Sequence, residues 1–178
     1  LYTGGLENRP ELVEELCLLR PLLGCRAESL LKVRDPVWLR DQLRASGAPA
    51  LDVELDQRAL VMDGRRWLSK PMRSAGGLGI RWVDLHVGWD KCSAGPPEQD
   101  VDEAKSREVY FQEFVQGLPI SGLFIAQAGE AWLLGLSRQL IGEPLSGATE
   151  FGYSGSIAPL NETDLPSVCF EQMAEHGR

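Results

Sequence analysis

The spacing of hydrophobic residues along the chain changes near residue 50. Before that point, the segment "RPELVEELCLLRPLLG" carries apolar residues at the three- and four-residue intervals of an amphipathic helix. The segment "DPVWLRDQLRASG" repeats this spacing, with Asp35 as the N-cap, Pro36 at the first helical position and Gly47 as the terminator. This part of the chain therefore predicts two helices that pack through one apolar face.

After residue 50 the chain consists of short runs rich in β-branched and aromatic residues. Glycine, proline and acidic residues separate these runs, which read "RRWLSKPM", "GIRWVDLHV", "EVYFQEFV", "ISGLFIAQA" and "AWLLGLSRQLI". Such runs are typical of antiparallel strands. Between the second and third runs, "KCSAGPPEQDVDEAKS" predicts a polar loop, and the closing "DLPSVCFEQMAEHGR" predicts the start of a helix. The sequence therefore predicts an α+β fold.

One strand-like run breaks at Lys70-Pro71, passes through three glycines and resumes as a strand, in "WLSKPMRSAGGLGIRWV". Glycine reaches backbone dihedrals that let N–H groups point into one concavity, where phosphate oxygens fit. Lys70 could add a charge-assisted contact, with Arg73 and Ser74 at the entrance. The segment lacks the GK[ST] motif of a Walker loop and the following helix of a dinucleotide fingerprint. It predicts either a phosphate-binding flap or a glycine-rich hairpin with a surface lysine.

Charge and composition limit the partners. The 178 residues carry a net charge of -8, so we expect neither nucleic acid nor an anionic membrane as a partner. The chain has no apolar run of membrane-spanning length and no basic-then-apolar signal, and a cytoplasmic location follows by default. The four cysteines form no CxxC pair and only His86 and His176 could join them, so no metal site is predicted from these residues.

Five ordered blocks resemble one family. The blocks "GGLENRPEL", "WLSKPMRSAGGLGI", "QEFVQGLPIS", "LLGLSRQLIG" and "YSGSIAPL" are similar to motifs of the ATP-grasp superfamily, in particular its predicted ATP-dependent carboxylate ligases. The resemblance implies a partial ATP-grasp fold, with two small antiparallel sheets, packing helices and a nucleotide cleft between them. It also implies that ATP activates a small-molecule carboxylate as an acyl phosphate, which an amine-type acceptor then captures.

The resemblance implies a set of nucleotide contacts. Lys70 matches the lysine on the α- and β-phosphates, and Gln112 lies where an acidic or amide side chain approaches the adenine amino group. Glu113 and Val115 would offer a backbone carbonyl and N–H to the adenine edge, while Trp67 and Phe114 could instead be hydrophobic core. The full set of expected nucleotide-binding residues is Lys70, Arg73, Ser74, Gly76, Gly77, Gly79, Gln112, Glu113, Phe114, Val115 and Ser121.

The sequence also departs from the family pattern. Pro119 replaces the glutamate that holds the ribose hydroxyls in many members, and Ser121 is a possible substitute. The lysine that faces the γ-phosphate in many members is missing, so Arg138 could supply a catalytic cation or could be an exposed strand arginine. We expect Mg²⁺ to accompany ATP, but no "ExNPR"-like run is present, and Asn161, Glu162 and Asp164 do not reproduce it. Its ligands are therefore expected outside this chain.

These departures suggest an internal piece of a longer ligase. The expected domains are residues 1–33, the remainder of an N-terminal α/β domain; residues 34–117, the first ATP-grasp subdomain with the flap; and residues 118–178, an incomplete second subdomain. Two alternatives remain open at this point. The chain could be a nucleotide-binding or regulatory module without catalysis, or a structural interaction domain whose glycine hairpin binds nothing.

Overall fold

The computed structural model describes residues 6–61, 63–84, 108–161 and 163–176. These residues form an α+β fold with two antiparallel sheets, which confirms the predicted fold class. The helices are α1 (Pro10–Leu19), α2 (Ala27–Val33), α3 (Pro36–Ala45) and α4 (Ser167–His176). The strands are β1 (Val53–Glu54), β2 (Arg66–Pro71), β3 (Arg81–Trp82), β4 (Val109–Phe114), β5 (Ile120–Gln127), β6 (Glu130–Ile141) and β7 (Tyr153–Leu160). Short 3-10 helices span Leu6–Asn8, Gln57–Ala59 and Pro144–Ser146.

The two helices predicted from apolar spacing are present as α1 and α3, and the helix start predicted in the closing segment is present as α4. The Asp35 side chain caps α3 as predicted, because its Oδ1 accepts hydrogen bonds from the backbone N–H groups of Val37 at 2.9 Å and Trp38 at 3.0 Å. Helix α2 was not predicted. It is seven residues long and buries Ala27 and Leu30.

The first sheet has the strand order β1-β4-β2-β3, and the glycine-rich segment connects β2 to β3. These two strands pair antiparallel, with Leu68 opposite Trp82, so the predicted strand–glycine–strand arrangement is confirmed. Side chains alternate between the two faces of a strand. One face packs on a core formed by Leu60, Trp67 and Phe111, and the other face carries Lys70.

The second sheet has the strand order β5-β6-β7, with α4 packed against β6. Leu136 on β6 is 2% exposed and is the best-buried leucine of this sheet. Gly122 on β5 lies where a Cβ would come within 2.7 Å of the Phe124 ring and 3.1 Å of Met173 Cε, so its lack of a side chain permits the close approach of α4. Strand β7 was not among the strand-like runs predicted from the sequence.

The chain divides into two compact units. Among the described residues, the first unit comprises the chain up to Ala75 and the segment Gly79–Val115. The second unit comprises Gly76–Leu78 and the residues from Gln116 onward. The predicted domain boundaries at residues 33 and 117 remain a proposal. Within the described ranges, no helix is long and apolar enough to cross a membrane. The predicted loop at 91–106, His86, Glu162 and the side chain of His176 lie outside the described residues.

Candidate functional site

Lys70 lies on β2, directly before the glycine-rich segment. Its Nζ donates a hydrogen bond to Gln112 Oε1 at 2.8 Å and lies 5.7 Å from the centroid of the Tyr110 ring. Burial lowers the pKa of Lys70 and raises the pKa of Tyr110. The structure therefore brings two of the predicted site residues together, and it holds a partly buried ammonium by a neutral amide.

The pairing of β2 with β4 explains this contact. Lys70 is opposite Tyr110, Leu68 is opposite Gln112 and Arg66 is opposite Phe114, so these side chains share one face of the first sheet. Gln112 is the diagonal neighbour of Lys70 on that face, within reach of its long side chain.

An aromatic and cationic cluster occupies the other end of this face. The Arg66 guanidinium carbon lies 3.6 Å from the centroid of the Trp82 ring and 5.2 Å from that of Phe114. The two rings meet edge to face, with centroids 4.8 Å apart. Phe114 therefore shares the face of Lys70, whereas Trp67 belongs to the core on the opposite face. Arg66 and Trp82 were not among the predicted site residues, and only the strand register associates them with this face.

The glycine-rich segment needs glycine for two separate reasons. Gly76, Gly77 and Gly79 have φ values of 63°, 79° and 76°, in the left-handed region that other residues rarely adopt. Space is also short, because a Cβ on Gly77 would lie 1.8 Å from Phe151 O and a Cβ on Gly79 would lie 2.8 Å from Pro71 Cγ.

The tip of the segment is anchored within the second unit. The Gly76 carbonyl accepts a hydrogen bond from the Tyr153 N–H at 2.9 Å, next to the close contact between Gly77 and Phe151. At the entrance of the segment, Arg73 is exposed and Ser74 is half-buried. Sequence reasoning did not identify Tyr153 or Phe151 as partners of the glycines, because no local pattern links them.

The residues that follow Gln112 on β4 alternate between the two faces of the first sheet. The Glu113 side chain points away from Lys70, with Oε2 lying 3.9 Å from Arg65 Nη1. The Glu113 N–H donates to Asp52 O at 2.9 Å. Val115 follows β4 and is 58% exposed. The backbone contacts with adenine expected for Glu113 and Val115 stay predictions.

Ser121 and Arg138 lie in the second sheet but on opposite faces. Ser121 is opposite Ser137, and Arg138 is opposite Ile120, so the strand alternation separates the two predicted residues. Ser121 Oγ accepts a hydrogen bond from Gln139 Nε2 and is half-buried, whereas Arg138 is exposed. The structure therefore does not bring Ser121 and Arg138 together.

The described residues give no basis for a magnesium site. Within the described ranges, no group of three or more histidine, cysteine, aspartate or glutamate side chains could hold a metal ion. Asp164 Oδ2 accepts a hydrogen bond from the Asn161 N–H at 2.9 Å and closes a turn. We assign no metal ligand and derive no step through a metal, and the location of Mg²⁺ ligands outside this chain stays a prediction.

Comparisons with known proteins identify the family of this chain. A family model described as an ATP-grasp domain matches residues 33–176, so the chain belongs to the ATP-grasp family and the predicted resemblance is confirmed. A search of curated proteins gave no match. Among solved structures, the crystal structure of L-amino acid ligase from Bacillus licheniformis is similar, with a TM-score of 0.47 and 16% identity. The match covers 94% of this chain and 42% of that chain, so this chain spans less than half the length of that ligase.

Proposed function

We propose that this chain is the ATP-binding part of an ATP-dependent ligase that activates a carboxylate as an acyl phosphate for capture by an amine-type acceptor. One observation carries the proposal: the partly buried Lys70 ammonium donates to the neutral Gln112 amide at 2.8 Å, directly before a segment of positive-φ glycines. A neutral acceptor orients the ammonium without cancelling its charge. That arrangement suits an anionic ligand, and family membership supports ATP as that ligand.

In the proposed complex, Lys70 contacts the α- and β-phosphates and the backbone amides of the glycine-rich segment contact phosphate oxygens. Arg73 and Ser74 lie at the entrance of the segment, next to Lys70 in sequence. The adenine would lie near Gln112, Phe114 and the backbone of Glu113 and Val115. A ligand on one face of the second sheet would meet only one of Ser121 and Arg138, and the ribose contact expected for Ser121 stays a separate prediction.

The proposed chemistry is transfer of the γ-phosphoryl group followed by acyl transfer. A carboxylate oxygen attacks the γ-phosphorus, the bond from phosphorus to the bridging oxygen breaks, and ADP leaves with that electron pair. The amine nitrogen then attacks the acyl carbon, phosphate leaves, and the nitrogen loses its proton to solvent. Positioning and charge neutralisation perform most of this work, so the proposal requires no protein nucleophile.

Calorimetry with ATP and with adenosine tests the binding step. Lys70→Ala removes a charge-assisted contact of about 1.5–3 kcal/mol, which corresponds to a loss of about ten- to a hundredfold in ATP affinity. Adenosine lacks phosphates and should bind almost unchanged. Lys32→Ala is a matched control, because the Lys32 side chain is 53% exposed and pairs only locally with Glu28 on α2. Equal ATP affinity of wild type and Lys70→Ala would refute the phosphate assignment, and equal losses for both ligands would indicate a structural lysine.

Trapping with hydroxylamine tests the activation step. An acyl phosphate reacts with hydroxylamine to form a hydroxamate, so each ADP released in the presence of the correct carboxylate should be matched by one hydroxamate. A panel of small carboxylates, assayed with ATP and Mg²⁺, should include one that gives this match in the wild type and fails with Lys70→Ala. Release of ADP without hydroxamate for every carboxylate that stimulates it would contradict the acyl phosphate.

A further inference from the structure

The carbonyl oxygen of Ser74, at the entrance of the glycine-rich segment, is the meeting point of two side chains from distant parts of the chain. Arg34 Nη2 donates a hydrogen bond to Ser74 O at 3.0 Å, and Asn8 Nδ2 lies 3.5 Å from the same oxygen. Arg34 Nη2 also donates to Asn8 Oδ1. Asn8 belongs to the block "GGLENRPEL", for which the proposed function gives no role.

The position of Arg34 is well defined by its surroundings. Arg34 is the C-cap residue of α2, where its N–H donates to the Leu30 carbonyl at 3.0 Å, and its side chain is half-buried. Burial raises the pKa of Tyr110, and the nearby charge of Arg34 partly offsets that rise. Tyr110 is the register partner of Lys70, so Arg34 lies near the strand that pairs with β2.

The geometry of a trans peptide gives this contact a consequence for the next amide. In a planar trans peptide, the carbonyl and the following N–H point in opposite directions. When Arg34 holds the Ser74 carbonyl, the Ala75 N–H must therefore point away from Arg34. The direction of the first backbone donor of the segment is thus set by a side chain that lies outside the segment.

We propose that Arg34, held in place by Asn8, is a positioning residue that directs the Ala75 N–H and the entrance of the glycine-rich segment toward the phosphates of a bound nucleotide. This proposal rests on the proposed function for the identity of the ligand. Arg34 acts through the peptide and does not itself touch the phosphate. Its guanidinium is committed to two oxygens, those of Ser74 and Asn8, which is an arrangement that Arg provides and the single ammonium of Lys reproduces poorly.

Two measurements on the 178-residue chain test the proposal. Hydrogen exchange without nucleotide should be about ten- to a hundredfold faster over residues 73–79 in Arg34→Ala, the range expected for loss of one charge-assisted hydrogen bond. ATP affinity in calorimetry should fall by a similar factor, about ten- to a hundredfold, with adenosine affinity unchanged. Arg34→Lys should recover only part of both losses.

A double-substitution cycle separates the pair from two independent contacts. Asn8→Ala should weaken ATP binding in the wild type but add little in the Arg34→Ala background, because its effect passes through Arg34. Arg26→Ala is the matched control, since Arg26 is an exposed arginine that precedes α2 and makes no side-chain cap. It should change neither exchange nor ATP affinity.

Specific outcomes would overturn the proposal. A loss of ATP affinity in Arg34→Ala with unchanged exchange would mean direct contact with phosphate, and equal losses for ATP and adenosine would mean a general structural role. Additive effects of Asn8→Ala and Arg34→Ala would separate the two residues. If the wild type bound no ATP, the proposed function would fail, and this proposal would lose its ligand. Unchanged exchange in Arg34→Ala would refute only the contact between Arg34 and Ser74 and would leave the proposed function intact.

Discussion

Gly77→Ala is the most direct perturbation of the glycine-rich segment. At a φ of 79°, an alanine is disfavoured by about 1–2 kcal/mol relative to its ordinary conformations. Its Cβ would also lie 1.8 Å from Phe151 O, a backbone atom that cannot rotate away. The segment must therefore move, and the hydrogen bond between Gly76 O and Tyr153 N–H, with a net contribution of about 0.5–1.5 kcal/mol, is lost. The expected destabilisation is about 1.5–3.5 kcal/mol.

Gly47 provides a closely matched control. It has the same φ of 79°, but a Cβ there would meet nothing within 4 Å. Gly47→Ala should therefore cost only the conformational term of about 1–2 kcal/mol in urea unfolding. Hydrogen exchange adds a local reading, since the Tyr153 amide should lose protection in Gly77→Ala and keep it in Gly47→Ala. Equal costs for the two variants, with the Tyr153 amide still protected in both, would refute the close contact at Phe151.

Three further predictions concern charge. Lys70→Met should raise the urea midpoint at neutral pH, and a lower midpoint would contradict this reasoning. Burial lowers the pKa of Lys70, so the unfolded chain binds the lysine proton more tightly than the folded chain does. The stability of the wild type should therefore rise as the pH increases toward 10.5. Hydrogen bonds from Arg65, and secondly from Arg44, lower the pKa of Asp52 below 3.8, so its contribution to stability should be complete above pH ~4 and disappear as the pH falls through the lowered pKa. Asp52→Asn should flatten that acid limb of the unfolding free energy, and an unchanged limb would contradict this contribution of Asp52. Gln112→Glu would pair a carboxylate with the Lys70 ammonium that meets the phosphates in the proposed complex, and should weaken ATP binding by about tenfold or more in calorimetry; equal or tighter binding would count against the proposed site.

The sequence predicted those elements whose signal is local. Helix α3 carries its own cap and proline, and the β2–β3 connection carries its own glycines. Helix α2, with seven residues, is shorter than the window over which helical spacing can be read. Strand β1 has only two residues and is defined by its pairing with β4, and no pattern in the neighbouring sequence indicates that pairing.

Strand β7 shows how local signals can mislead. Its sequence "YSGSIAPL" contains glycine and proline, which normally argue against a strand. Proline is nevertheless tolerated on edge strands. The outer side of an edge strand pairs with no neighbouring strand, so a residue without a backbone N–H costs no hydrogen bond there. In the order β5-β6-β7, this strand lies at the edge. Its position in the sheet therefore overrides its composition.

The candidate site was predicted as residue types along the chain but not as contacts. The expected proximity of Lys70 and Gln112 was a consequence of motif order, whereas their hydrogen bond depends on the register that puts Leu68 opposite Gln112. A shift of one residue would turn Gln112 to the other face of the sheet. Asn8 and Arg34 approach Ser74 over still larger separations in sequence, so only the folded chain reveals them.

A neutral partner for Lys70 fits the requirements of the proposed anion site. Burial lowers the pKa of Lys70, so the surroundings disfavour its charge. A carboxylate partner would reverse that effect, but it would also cancel the field that attracts an anion and repel the phosphates as they arrive. Gln112 Oε1 accepts one of the three ammonium hydrogens at 2.8 Å and contributes no charge, which leaves two donors and the full positive charge for the ligand. The counter-charge for Lys70 is therefore expected to come from the bound phosphate, and nucleotide binding should stabilise the charged lysine that folding alone disfavours.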